Sequence, residues 1–211
     1  MKSFNYLEKK ALNSSDRLLV ILHGYGANEY DLFQLSDAFI RKSHVVSLQA
    51  PYQLYPESYA WYAIHFDEVK GKWSDIAQAK EIVEQLHVFI QALKEQYQVR
   101  YIDLLGFSQG AILSYALATK YPQQYSKIMA LSGYFNKELN EVSNDGVFDQ
   151  LKIYASHGAE DPVIPLSWSA EIPSVLDELN IEYEHFVFQD MGHTINQENL
   201  NSLFQWYYLF E

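Results

Sequence analysis

An α/β fold on a mainly parallel sheet is what this sequence predicts, and three observations carry the prediction. Short β-branched runs alternate along the chain with longer segments of helical period. The runs are dense in Val, Ile and Leu with little polar alternation, the pattern of strands buried on both faces. No repeat, low-complexity tract or Pro/Gly-rich linker divides the 211 residues, so a single domain over 1–211 is expected.

Taken in order, the N-terminal SFNYLEKKAL reads as an edge strand and RLLVILHG as a core strand ending near His23. Tyr30 to Phe39 reads as a helix and HVVSLQAP as the next strand, ending near Leu48. PYQLYPESYAWYAIHF is an unusually aromatic loop. Behind it, Ile76, Ala79, Val83, Leu86, Ile90, Leu93 and Tyr97 form one apolar helical stripe, with Ser74 expected as N-cap. YIDLLGF is a strand, and Gln109 to Lys120 a helix ended by Pro122. KIMALSG and LKIYASHG are strands separated only by Tyr134 to Gln150, a loop too short for a cap domain. Trp168 to Leu179 is a predicted helix closed by Asn180, IEYEHFVF the last strand, and Asn196 to Leu209 a helix behind a Thr194/Gln197 capping box. The helices are expected on both faces of the sheet.

Composition narrows the functions open to such a fold. Hydrophobic residues make up 48% and aromatics 16%, values of a packed globular chain. Cysteine is absent, which excludes disulfides, thiolate metal sites and a cysteine nucleophile, and fits a reducing compartment. With no signal-peptide pattern and no apolar run of membrane-spanning length, the cytoplasm is the expected location and stable membrane insertion is not expected. A net charge of −12 disfavours nucleic acid, anionic membrane and polyphosphate ligands, leaving a small or neutral substrate. A homodimer is compatible with these properties.

The chemistry centres on Gly106-Phe107-Ser108-Gln109-Gly110, a G-x-S-x-G string between a predicted strand and a predicted helix. That setting makes a nucleophile elbow, a sharp turn that presents the serine. A serine hydroxyl needs a base, and the base an orienting acid. Asp161 follows the LKIYASHG strand and His193 follows the last one, giving the order Ser108, Asp161, His193. Glu160 and Asp190 are rival acids, and His157 a rival base. No pair among the seven histidines has the helical spacing of a metal site, so neither metal nor cofactor is expected. For the oxyanion, the N–H of Gln109 opens its helix, and the glycines of LHGYG let the backbone N–H of Tyr25 turn toward the serine.

The strings LHGYG (Leu22 to Gly26), AP (Ala50, Pro51), AWY (Ala60 to Tyr62), GFSQG, HGAEDPVIP and GHTI (Gly192 to Ile195) occur in an order that resembles the phospholipase/carboxylesterase group of α/β-hydrolases, which includes acyl-protein thioesterases. The resemblance covers nearly the whole chain. It implies an α/β-hydrolase fold and cleavage of carboxylic esters, with thioesters as a further class. It also implies Ser108 as nucleophile, Asp161 and His193 as its partners, Tyr25 and Gln109 as oxyanion donors, and Trp61 as a cleft residue. One position departs: where the family often has an acid two residues after that tryptophan, this chain has Ala63. A peptidase on the same triad, or a degenerate hydrolase kept as a ligand-binding module, are the competing readings.

Overall fold

The computed structural model describes residues 3–67, 71–142 and 147–209. In chain order they form β1 (Tyr6–Lys9), β2 (Arg17–Leu22), α1 (Ser36–Phe39), β3 (His44–Leu48), β4 (Tyr52–Tyr55), β5 (Ser58–Ala60), β6 (Ile64–Asp67) and β7 (Gly71–Ser74). Then come α2 (Ile76–Tyr97), β8 (Tyr101–Phe107), α3 (Gln109–Lys120), β9 (Lys127–Leu131), β10 (Lys152–Gly158), α4 (Leu166–Ser169), α5 (Ile172–Glu178), β11 (Glu182–Phe188) and α6 (Gln197–Leu209). The main sheet has seven strands in the order β1-β3-β2-β8-β9-β10-β11. Only β1 runs antiparallel to its neighbour.

Both faces of the sheet are covered, which is why its central strands lack polar alternation. In β2, Leu18, Val20 and Leu22 join one core with α2, α3 and α5, while Leu19 and Ile21 join a second with Phe39 of α1 and Leu203, Trp206 and Tyr207 of α6. The same division runs through β8 to β10. Among the described residues of 132–151, between β9 and β10, there is no helix or strand, and 143–146 of the predicted loop lie outside the described residues. Among the described residues, no cap domain is built between β9 and β10.

Several local expectations are corrected. Tyr30 to Phe39 is not one helix: Asn28 accepts from the Tyr30 N–H through its side chain and from the Asp31 N–H through its carbonyl, and helical turns begin only at Phe33. Trp168 to Leu179 is split, because Pro173 has no N–H to continue a helix from α4 into α5. Asn180 does close α5 in left-handed geometry, with φ of 53°. The cap of α2 is Asp75, whose carboxylate accepts from the Gln78 N–H at 2.9 Å, since Ser74 still belongs to β7. At α6 the carboxamide of Asn196 accepts from the Asn199 N–H at 2.8 Å, and Gln197 reaches forward to Asn201, so no Thr194 box forms.

The aromatic loop is two hairpins, β4–β5 and β6–β7. The first turns through Pro56 and Glu57, and Glu57 takes φ of 59°. A glycine at that position would have signalled the turn.

At the amino ends of the parallel strands, Asp103 of β8 is fully buried. Its carboxylate accepts from Arg17 Nη1 at 2.9 and 3.0 Å, from Tyr207 Oη at 2.9 Å and from the Lys127 N–H at 3.2 Å. Burial pushes its pKa up, and the charge of Arg17 is the largest force opposing that. Arg17→Ala should cost about 3–5 kcal/mol in urea unfolding by stranding the acid. A loss under about 1 kcal/mol would mean that the site accepts an unpaired Asp103.

Candidate active site

The site begins with a strained turn. Ser108 sits between β8 and α3 with φ of 52° and ψ of −114°, and its N–H is held by the carbonyl of Leu131 at 2.9 Å. Such a backbone persists only where the surroundings enforce it. Here the enforcing contact is the first turn of α3 against β2: a Cβ on Gly110 would lie 2.0 Å from the carbonyl oxygen of Leu22. Only glycine allows that approach. The Ser108 side chain is thereby left at the carboxyl end of the sheet, its residue 8% exposed.

Two later loops converge on it. Gly158 ends β10 so close to the loop after β11 that a Cβ there would lie 2.0 Å from the carbonyl oxygen of Met191. The contact brings Asp161 and His193 together. His193 Nδ1 lies 2.7 Å from Asp161 Oδ2, and His193 Nε2 lies 2.9 Å from Ser108 Oγ. An ionised Asp161 can only accept, so Nδ1 carries the proton and Nε2 is free to accept from the serine hydroxyl. Asp161 Oδ1 accepts from the N–H groups of Val163 and Ile164 at 2.8 and 2.9 Å. Burial alone would raise the pKa of Asp161; the bonds from His193, Ile164 and Val163 outweigh it and hold the carboxyl below its ordinary value.

The rivals fall away on position. Glu160 and Asp190 are exposed and neither bonds to His193 among the described contacts. His157 is fully buried behind the acid, its Nε2 donating to the carbonyl of Ile164 at 2.9 Å and lying 3.4 Å from Asp161 Oδ2. It bonds to the loop that holds the acid, and to no atom of Ser108.

Tyr25 and Gln109 both line the cleft beside Ser108 and His193. Among the described hydrogen bonds, none uses the backbone N–H of either residue. Gln109 is the first residue of α3, where the free N–H groups and the helix dipole favour negative charge.

Trp61 is a correction. It is fully buried and lies outside the cleft, its indole N–H donating to the carbonyl of His23 at 2.8 Å. A hydrogen-bonding partner in the loop after β2, not the cleft, explains its place. The cleft, of about 830 Å³, is walled instead by Tyr62, Ile64, Trp73 and Ile76 on one side, by Ile112 and Phe135, and by Tyr134, Val163, Ile164 and Trp168. Sequence reasoning missed Trp73 and Trp168. Their signal was exposure, 40% and 46%, which only the fold reveals. Lys137 and Glu171 pair at 2.8 Å among the lining residues. No group of three or more His, Cys, Asp or Glu among the described residues is arranged to hold a metal ion.

This sheet order, with a serine at the strand–helix turn and an acid and a histidine on later loops, defines an α/β-hydrolase. The chain belongs to the phospholipase/carboxylesterase family, whose family model matches residues 8–209. Among curated relatives, it is 24% identical to Esterase YpfH of Escherichia coli over 95% of this chain and 85% of that one. It is also 24% identical to acyl-protein thioesterase 1 of Kluyveromyces lactis, over 69% of this chain and 66% of that protein's length. In fold it resembles the crystal structure of esterase PE8 at a TM-score of 0.87 and 24% identity, covering all of both chains. The Bacillus cereus carboxylesterase is similar at 0.85 and 18%, over 98% of this chain and 94% of that one.

His23 supplies a test of the site's foundations. Its Nε2 accepts from the Ala50 N–H at 3.0 Å, so Nδ1 carries the proton and donates to the carbonyl of Gly24 at 2.7 Å. Burial lowers its pKa to about 4, against weaker upward pulls from the Gly24 carbonyl and Glu29. Unfolded, the ring takes its proton near 6.5, so between these values the unfolded chain binds more protons and stability falls as pH drops. Urea unfolding should show a loss from this group of about 3 kcal/mol between pH 7 and 4. The slope should flatten in His23→Gln; an unchanged slope would place the acid sensitivity elsewhere.

Proposed function

We propose that this protein is a serine esterase that cleaves carboxylic esters, and thioesters, of short to medium acyl chains through an acyl-enzyme on Ser108. The observation that carries the reading is the continuous contact from Ser108 Oγ through His193 to Asp161, at 2.9 and 2.7 Å. His193 Nε2 takes the serine proton as Oγ attacks the carbonyl carbon. The negative oxygen that results is received by the N–H groups of Tyr25 and Gln109. As the intermediate collapses, His193 returns the proton to the departing alcohol or thiol oxygen or sulfur. Water then repeats the sequence on acyl-Ser108, releasing the acid. Asp161, held ionised by its three hydrogen bonds, keeps the imidazole in the tautomer that both half-reactions need.

The named activities of its relatives, esterase and acyl-protein thioesterase, agree with this reading. An aligned serine, histidine and acid are superfluous to a module that only binds. The part of the wall formed by Ile64, Ile76, Ile112 and Phe135 offers no hydrogen-bonding side chains and favours an apolar acyl group over the extended polar backbone of a peptide.

Ser108→Ala should retain the fold and lose at least about 10⁴-fold in kcat for a p-nitrophenyl ester. It should also lose labelling by a fluorophosphonate. Turnover within about tenfold of the unmodified protein would remove Ser108 from the reaction. Activity should be indifferent to EDTA.

Acyl length provides a second check. With apolar walls and no cap domain, each added methylene should raise kcat/KM by up to about fourfold, until the cleft is full. Trp73→Ala and Trp168→Ala should flatten this dependence. A rate independent of chain length would show that the acyl group lies elsewhere.

A further inference from the structure

Three parts of the sequence pattern, Ala50, Trp61 and the side chain of Gln109, take no direct part in the chemistry just described, yet all are buried. Their hydrogen bonds form one connected path. The carboxamide of Gln109 grips the backbone of a neighbouring segment: Oε1 accepts from the Trp61 N–H at 2.9 Å and Nε2 donates to the carbonyl of Tyr62 at 2.8 Å. Two bonds to successive residues fix both the place and the rotation of that segment. Trp61 in turn donates its indole N–H to the carbonyl of His23, and the two rings pack with centroids 5.2 Å apart. His23 is held by the Ala50 N–H at one ring nitrogen and holds the Gly24 carbonyl with the other.

The last contact governs a direction. The carbonyl of Gly24 and the N–H of Tyr25 belong to one planar trans peptide and point to opposite sides. Gripping the oxygen therefore aims the N–H. The next residues are pinned as well, with the Gly26 N–H bonded to the carbonyl of Tyr59 at 2.8 Å and the Tyr59 N–H to the carbonyl of Ala27 at 2.9 Å.

We propose that the Gln109 side chain, acting through Trp61 and His23, is a positioning device that locks the two oxyanion donors, the N–H groups of Gln109 and Tyr25, at one separation. The inference rests on the serine-esterase reading above. One residue then serves twice: its backbone N–H meets the substrate oxygen, while its side chain sets where the other N–H stands. Trp61 and His23 touch no substrate. They carry the constraint from α3 to the loop after β2. Without His23 the Gly24 carbonyl would keep the longer bond from the Ala27 N–H at 3.3 Å, a looser hold on that peptide, and displacement of one donor by an ångström is enough to weaken a transition-state contact.

The test is a double-variant cycle of Gln109→Met and Trp61→Phe, each checked by circular dichroism for its fold. Each variant should lower kcat for a p-nitrophenyl ester by about 10- to 100-fold, with KM held within about threefold, because neither substitution changes an apolar wall residue of the cleft. Affinity for an alkyl boronic acid, whose tetrahedral adduct on Ser108 needs both donors, should fall by the same factor as kcat. The pH midpoint of kcat should stay in place, since the His193–Asp161 contact is not altered. The double variant should be no worse than the weaker single variant, as expected of links in one chain.

Losses that multiply, or a rise in KM with kcat intact, would overturn the relay. If Gln109→Met does not fold, Trp61→Phe decides alone: boronate affinity that falls with kcat supports the relay, and unchanged affinity overturns it. Ser108→Ala is the control for the underlying reading. Its inactivity beside an additive cycle would reject the relay only, whereas its retained activity would reject the serine-esterase reading itself.

Discussion

The near-contact of α3 with β2 is the constraint on which the rest of the site depends. At Gly110 the helix backbone lies against the carbonyl of Leu22, closer than any side chain would permit. For β8 to deliver the chain into that contact it must reverse direction within one residue, and Ser108 absorbs the reversal in its positive φ. The strain is offset by packing: α3 is buried along almost its whole length, from Gln109 to Thr119. A helix so enclosed cannot relax outward to relieve one dihedral angle. The same contact sets the first N–H of α3 beside the loop that leaves β2, so the position of Ser108 and that of the proposed anion-receiving groups share a cause.

That arrangement explains which residues the sequence revealed. The convergence of Ser108, Asp161 and His193 was legible because each follows a predicted strand, here β8, β10 and the edge strand β11, and the parallel sheet brings the carboxyl ends of such strands to one side. The glycines around Ser108 marked the turn. What stayed illegible was the side of the sheet segment on which an aromatic falls. Trp61 and Trp73 stand in similar aromatic company, yet Trp61 is fully enclosed and Trp73 lines the cleft. The distinction depends on the twist of two short hairpins, one of them turning on Glu57 where no glycine announced it. Likewise Trp168 belonged to a predicted helix, and only the break at Pro173 frees its segment to approach Tyr134, where the rings meet edge to face at 4.9 Å.

Charge is distributed to the same end. Two of the buried acids among the described residues, Asp103 and Asp161, are satisfied in different ways. Asp103, at the amino ends of the strands, is paired with Arg17 and bonded by Tyr207, and burial nonetheless raises its pKa. Asp161, at the carboxyl ends, has no arginine beside it in its described contacts, but collects two backbone N–H groups and His193. Its pKa falls. An ion pair would offset the charge of the acid, whereas the neutral backbone donors keep it ionised and leave its charge facing His193, as the proposed mechanism requires. The distinction between a structural and a reactive carboxylate thus lies in the donors around it.

The position of His157 completes this argument. It stands behind Asp161, donates to the carbonyl of Ile164, and so reinforces the turn whose N–H groups hold the acid. On the other side of the serine, His23 performs the corresponding task for the loop after β2. Both histidines are buried near strand ends, His157 within β10 and His23 just after β2, and each uses a ring N–H to tie down a carbonyl. Of these three rings His193 is the least enclosed, its side chain 17% exposed, and it is the one that lines the cleft. A chain with several histidines near one edge can therefore divide them by enclosure: rings sealed from water tie backbone segments together, and the ring that meets the cleft is left for the proposed proton transfer.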